Sequence, residues 1–401
     1  MTAIALVCDY SLRYLGGAQA AFLDQARILA ERGHEVVIIA PDAAEHADPA
    51  EALSIPARVT IPGLDLPIIR NTATLRERLR AELTARGIDV VHVHSEFGLT
   101  AAAIQVAAER GIPSVQTVHT FFWQAPMNRV FSAIAARVVR GYARWLRGFA
   151  ASDRVLADAP LDSALRGITL STAERVQLVI SPSAHQADKL RDAGVTHVRV
   201  IENAVPDMRT DAAALTAIDG PLRIVWVGRL VAEKRILEFV DAVRAAESTL
   251  GADRLRVEII GDGPLHTQAE LRAADSPSIG FLGRLGRDEV RERMRQAHLI
   301  ALSSHGFDNQ PVVVVEAFSE ARSVLYVDPA LREGLAEGGI LAPSPDPAGM
   351  AEALVALAQH PERVVEASAR AKAAAATFHP DRHAERVLQA YADAAQERRG
   401  L

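Results

Sequence analysis

Short runs of apolar residues recur along the chain, each followed by a turn and a stretch with helical spacing. In the first half the runs fall at residues 3–8 (AIALVC), 35–40 (EVVIIA), 90–94, 114–118, 176–181 and 198–201. In the second half they fall at 222–227, 255–260, 279–282, 299–302 and 324–328. Most lack a polar alternation, which predicts strands buried on both faces, as in parallel sheets. The spacing predicts helices over about 18–32, 102–110, 129–150, 288–296, 347–359, 361–377 and 383–398, with another resuming at Leu237. Strand and helix in regular alternation predict α/β units with right-handed crossovers. Between 207 and 221 no period is legible, which places an interdomain linker there.

At 401 residues the chain is too long for one core. Two domains are expected, over 1–205 and 206–380, with a terminal helix over 381–401 that can pack back on the first. The net charge of −6 argues against bulk binding to nucleic acid. The lone cysteine, Cys8, rules out a disulfide framework and a cysteine metal site, and fits a reducing compartment. The N-terminus shows no basic segment ahead of a long apolar run, and no 18-residue apolar stretch occurs. Neither a signal peptide nor a membrane-spanning helix is expected.

Candidate chemistry concentrates at 224–234, IVWVGRLVAEK. A buried strand ends at Gly228, and Arg229 and Lys234 stand at the mouth of the next helix. Cations beside the free N–H groups of a helix start make a site for a diphosphate. Only three lysines occur (Lys189, Lys234, Lys372) among 44 basic residues, so a compact point charge is specified here. The alternative is an ordinary surface pair. Gly16-Gly17 precedes a helix without a GxGxxG pattern; it is either a tight turn or a close backbone approach to a phosphate or sugar. His119 is the best-placed histidine, just past an apolar strand, whereas His92 and His94 alternate inside one and read as structural. Asp308 and Glu316 flank Asn309, Gln310, Pro311 and Val312 at an expected helix start, and are too far apart along a helix for an acid/base dyad. Residues 129–150 hold five arginines and no acid. At 100° per residue these arginines fall within an arc of about 80°, opposite Phe131, Ile134, Val138, Tyr142, Trp145 and Phe149. Such a helix either lies on anionic lipid or packs its apolar face on its own sheet.

Taken in order, Gly16-Gly17-Ala18-Gln19 with GHEVVIIAP, His119 after SVQTV, SPSAHQADKLRDAG, VIENAVPD, VGRLVAEK, IIGDGP and the 308–316 segment resemble glycosyltransferases of family 4. The resemblance covers nearly the whole chain. It implies an α/β, GT-B fold: two Rossmann-like domains with parallel sheets facing across a cleft. It also implies that Arg229 and Lys234 hold the donor diphosphate. Asp308 and Glu316 would touch the donor sugar and the ribose, and Gly16-Gly17 and His119 match the family's glycine loop and active-site histidine. Gly228 and residues 309–312 complete the implied donor site. Asp308 stands where Glu is more usual, Ala204 and Ala321 where Gly is frequent, and Ser323 where Pro is frequent.

The expected function is retaining transfer of a sugar from a nucleotide-diphosphate donor to a sugar or lipid-linked hydroxyl. His119, Arg229, Lys234 and Asp308 would be the catalytic group, with no metal and no cofactor. The expected setting is the cytoplasm, at the inner face of a membrane touched through Arg129, Arg137, Arg140, Arg144 and Arg147. The rivals are a non-catalytic nucleotide-sugar-binding subunit and a sugar-nucleotide epimerase.

Overall fold

The structure, a computed structural model, describes residues 1–13, 16–46, 48–57, 59–61, 66–122, 128–209 and 211–399. The chain divides into two compact units. Unit 1 comprises Met1–Pro206 and Pro380–Leu401, and unit 2 comprises Asp207–His379.

Unit 1 runs β1 (Ala3–Val7), α1 (Gly17–Glu31), β2 (Glu35–Ala40), β3 (Glu51–Ser54), a small hairpin of β4 (Thr60–Ile61) and β5 (Leu66–Pro67), α2 (Ala73–Ala85), β6 (Val90–Val93), α3 (Gly98–Arg110), β7 (Ser114–Thr117), α4 (Arg129–Arg147), α5 (Pro160–Ala173), β8 (Leu178–Ser181), α6 (Ala184–Asp192) and β9 (Val198–Val200). Seven of these strands form one sheet in the order β3-β2-β1-β6-β7-β8-β9, every pair parallel. The order reverses between β1 and β6. Valine, isoleucine and leucine on both faces of β1 and β2 feed two apolar layers, one under α1, the other under α2 and α3.

Unit 2 runs β10 (Leu222–Val227), α7 (Ile236–Leu250), β11 (Leu255–Ile260), α8 (His266–Ala273), β12 (Ile279–Gly283), α9 (Arg287–Gln296), β13 (Leu299–Leu302), α10 (Val312–Ser319), β14 (Ser323–Tyr326), α11 (Leu335–Gly338), β15 (Ile340–Leu341), α12 (Pro347–Gln359) and α13 (Glu362–Ala374). Its parallel sheet has the order β12-β11-β10-β13-β14-β15, the doubly wound arrangement of a Rossmann fold. The reversal falls between β10 and β13. The last helix, α14 (Pro380–Arg399), belongs to unit 1, where Val387, Ala390, Tyr391 and Ala394 enter the core against α1.

Candidate active site

In an open parallel sheet, ligands sit at the carboxyl ends of the strands where the order reverses. In unit 2 that is the end of β10 and of β13. Beyond β10, the Gly228 N–H donates to the Ile260 carbonyl at 3.1 Å and the Leu230 N–H to the Asp262 carbonyl at 3.0 Å. This ties the loop to the one after β11. The close approach requires glycine: Gly261 has φ +132°, and a Cβ there would lie 1.9 Å from the Gly228 oxygen. One tight turn, Ala232–Lys234, then leads through Arg235, at φ +53°, into α7.

Lys234 is anchored at both ends. Its carbonyl accepts from Ser303 Oγ at 2.6 Å, and that oxygen accepts from Trp226 Nε1 at 2.9 Å. Its Nζ meets Asp308 Oδ1 at 2.5 Å, while the other Asp308 oxygen accepts from Ser304 Oγ. The Lys234 and Asp308 side chains are 25% and 11% exposed, so the pair is shielded yet reachable. An ammonium has three donors, and Asp308 takes one. Arg229 is exposed and makes no ion pair or side-chain hydrogen bond among the described residues. Asp308 lies in the loop before α10, not on it; the helix begins after Pro311, without a side-chain cap, so its first N–H groups follow the nearly buried Asn309 and Gln310. Glu316, one turn into α10, lies 3.5 Å from Arg287 Nε.

Unit 1 uses its reversal point differently. Asp9, just past β1, is fully buried and caps α3: its carboxylate accepts from the Leu99 N–H at 2.7 Å and from those of Phe97 and Thr100 at 3.2 Å. The chain's own carboxylate fills the helix end that would otherwise attract a phosphate. Ser95 Oγ donates to Asp9 at 2.8 Å, and the neighbouring Glu96 accepts from Thr169 Oγ1 at 2.9 Å. Burial pushes the Glu96 carboxyl up to about 7. Past β7, His119 Nε2 is 2.9 Å from Nδ1 of the buried His94, with the rings stacked at 5.2 Å. Burial lowers the His119 imidazole to about 4, so it is neutral at physiological pH.

Residues 15–209 match the family model described as Glycosyltransferase Family 4, and residues 221–360 match that of glycosyl transferases group 1. The chain belongs to glycosyltransferase family 4. It is 25% identical over 366 residues to a phosphatidyl-myo-inositol mannosyltransferase of Mycolicibacterium smegmatis, covering 88% of this chain and 84% of that one. It is 29% identical over 265 residues to a GDP-mannose-dependent alpha-mannosyltransferase of the same species, covering 65% and 63%. Among solved structures it resembles Anabaena HepE in complex with UDP, with a TM-score of 0.67 at 16% identity over 97% of this chain and 99% of that one. These likenesses support the GT-B fold class.

In this glycosyltransferase the anticipated residues fall into two groups. Arg229, Lys234, Asp308 and residues 309–316 gather at the reversal point of unit 2, and His119, Gly16 and Gly17 belong to unit 1. Gly16 is the N-cap of α1 and Gly17 its first residue; neither has a positive φ, and a Cβ at Gly17 would meet nothing within 4 Å among the described residues. Three features escape the sequence reading: the direct Lys234–Asp308 pair, its supports Ser303 and Ser304, and the contact of His94 with His119.

Helix α4 corrects two expectations. Its apolar stripe does not pack on the sheet: Val130, Phe131, Ile134, Val138 and Trp145 are between 48% and 71% exposed. The face that packs carries Ser132, Ala136, Ala143 and Leu146, and it lies against α5. Arg147 is not a surface cation. It is fully buried and donates to the Ile168 carbonyl and Ser171 Oγ at 3.0 Å. Arg129 shares its wheel position but stands at the other end of the helix, so what buries Arg147 is its place in the last turn of α4, beside Ile168 and Ser171 of α5. Arg129, Arg137 and Arg144 are exposed, and Arg140 is half-buried.

Proposed function

We propose that the enzyme transfers a hexosyl group from a nucleoside-diphosphate sugar to a hydroxyl of a sugar or lipid-linked acceptor, with retention at the anomeric carbon. The observation that carries this reading is Lys234, fixed by backbone and side chain beside Asp308 at the reversal point of unit 2. Arg229 and Lys234 take up the negative charge that grows on the departing diphosphate, the place a metal fills elsewhere. Asp308 and Glu316 accept hydrogen bonds from the donor sugar and the ribose. The bond from the anomeric carbon to the diphosphate oxygen breaks, the acceptor oxygen bonds on the same face, and the acceptor proton passes to the departing phosphate oxygen. The relatives' names make GDP-mannose the first donor to try. Titration calorimetry of GDP, UDP and ADP into the wild type and Lys234→Ala tests the site. One nucleotide is expected to bind saturably and to lose about tenfold in affinity, about 1.4 kcal/mol, in the variant. Failure of all three to bind the wild type would overturn the reading. Turnover with an acceptor separates it from a non-catalytic subunit, and release of an altered sugar nucleotide without acceptor would mark an epimerase.

We infer further that α4 seats the enzyme on an anionic membrane at the cytoplasmic face, which favours a lipid-linked acceptor. The exposed apolar stripe is bordered on one side by Arg129, Arg137, Arg140 and Arg144, and the helix has no acidic residue to repel phosphates. Vesicles with and without anionic lipid test this by co-sedimentation. Phe131→Ser with Ile134→Ser and Val138→Ser should abolish sedimentation, and glutamate at the three exposed arginines should remove its dependence on anionic lipid. Wild type that ignores both kinds of vesicle, or self-associates through these residues, refutes the membrane reading.

A further inference from the structure

His94 and His119 leave the carboxyl ends of neighbouring strands, β6 and β7, which pair in parallel with Val93 beside Gln116. The His94 ring is enclosed. The edge of Phe22 meets it at 5.0 Å, His92 lies against it at 4.3 Å, and it is 2% exposed. Its Nδ1 faces His119 Nε2 at 2.9 Å, whereas its Nε2 is buried and has no hydrogen-bond partner among the described residues.

A hydrogen bond between two neutral imidazoles holds one proton, and two assignments are open to it. If His119 Nε2 donates, His94 Nδ1 is the acceptor and the His94 proton must sit on Nε2. A buried N–H is then left with no acceptor. If His94 Nδ1 donates, its Nε2 carries only a lone pair. Orphaned buried donors are rarer in folded proteins than under-satisfied acceptors, so the second assignment is favoured. Charging either ring is opposed by burial, which lowers all three imidazoles of this column, and for His94 charge on His92, His119 or His383 opposes it as well.

We propose that His94 is a positioning residue that fixes the tautomer of His119, donating from Nδ1 so that His119 presents its own Nδ1–H as an uncharged hydrogen-bond donor. Two consequences follow for the chemistry. With one nitrogen accepting from His94 and the other protonated, His119 has no free lone pair and is not the base that removes the acceptor proton. An uncharged N–H suits a hydroxyl or carbonyl oxygen of the ligand rather than a phosphate. This second consequence rests on the reading of His119 as a ligand contact; the tautomer does not.

Long-range proton–nitrogen correlation spectra of protein labelled with nitrogen-15 histidine decide the tautomer, with the His119 signals identified by their loss in His119→Asn. The expected wild-type pattern is a protonated Nδ1 and an unprotonated Nε2 on His119. The reverse pattern overturns the proposal, whatever the fate of the variants. In His94→Leu the pattern should shift toward protonated Nε2. In His94→Asn, whose amide nitrogen stands near the lost Nδ1, it should be kept. With nucleotide sugar and acceptor, His94→Leu should lower kcat/KM by about tenfold and His94→Asn should recover most of it. Affinity for the bare nucleoside diphosphate should be unchanged in both. Loss of activity in His94→Asn equal to that in His94→Leu would show a packing role and count against the proposal. Full activity in His119→Asn and His119→Ala, with the expected wild-type tautomer, would instead remove His119 from the ligand site and leave the tautomer assignment standing.

Discussion

Glu96 is 8% exposed, and desolvation is the main reason its carboxyl rises from 4.5 to about 7, with Asp9 adding to the rise and Thr169 and Arg147 opposing it. Because the folded state holds this proton more tightly than the unfolded chain, the contribution to stability is whole below pH 4.5 and is lost as pH rises through 7. Glu96→Gln keeps an oxygen for the Thr169 hydroxyl and removes the titration. It is expected to stabilise the fold at pH 8, by about 3 kcal/mol at most, and to have no such benefit at pH 4. Urea unfolding at the two pH values measures both; equal effects at both would show that burial does not raise the Glu96 carboxyl. Lys234 was legible as a site residue because lysine is rare in this chain and stands at a strand end. Its pairing with Asp308, 74 residues away, was not. Contacts across strands that are neighbours only in the folded sheet leave no local pattern. The same holds for His94, whose strand alternation suggested a core residue; it is buried, yet it touches His119.

Helix α4 shows what an amphipathic pattern can and cannot say. The period located the helix and the arginine arc, but the apolar stripe on a helical wheel does not tell whether a core or solvent receives it. Here the partner, α5, is met by small residues of α4, and the loop after α4 closes on α5 at Gly167, where a Cβ would lie 2.4 Å from the Ser152 oxygen. Helix α5 itself carries Gly167, Thr169, Ser171 and Thr172, poor helix formers that tertiary burial overrides. Helix α2 was readable and goes unpredicted above, although Leu75, Leu79 and Leu83 recur every fourth residue after the Thr72 cap. Arg147 links α4 to α5, filling the polar needs of Ile168, Ser171 and Thr172. Arg147→Met should therefore cost about 3 kcal/mol in chemical denaturation, because it strips neutral buried acceptors of hydrogen bonds from a charged donor. The triple serine variant of the exposed stripe should stay within about 0.5 kcal/mol of wild type. Equal losses in the two would mean the stripe is packed in solution.

The division of the chain into an interrupted unit and a continuous one bears on how it unfolds. Alternating strands and helices made both parallel sheets legible, because each buried strand is an unbroken apolar run. Unit 2 closes its own sheet and core from Asp207 to His379, and the Lys234–Asp308 pair lies wholly inside it. Unit 1 is completed only by α14, which carries Tyr391 into hydrogen-bond reach of His92, at 2.8 Å, and of Gln25. It also brings Arg398 to the carbonyls of Ile112 and Ala108. Ending the chain at His379 removes these bonds and the apolar face of α14 while leaving every residue of unit 2 in the chain. A ligand that binds one unit stabilises that unit by mass action, about 2.7 kcal/mol at a hundred times its Kd. Scanning calorimetry of the full chain should then show the nucleoside diphosphate raising the transition of unit 2 most. The chain ending at His379 should lose the unit 1 transition and keep a nucleotide-dependent one. If truncation instead abolishes nucleotide binding along with both transitions, unit 2 does not hold its fold alone, and the two cores unfold as one.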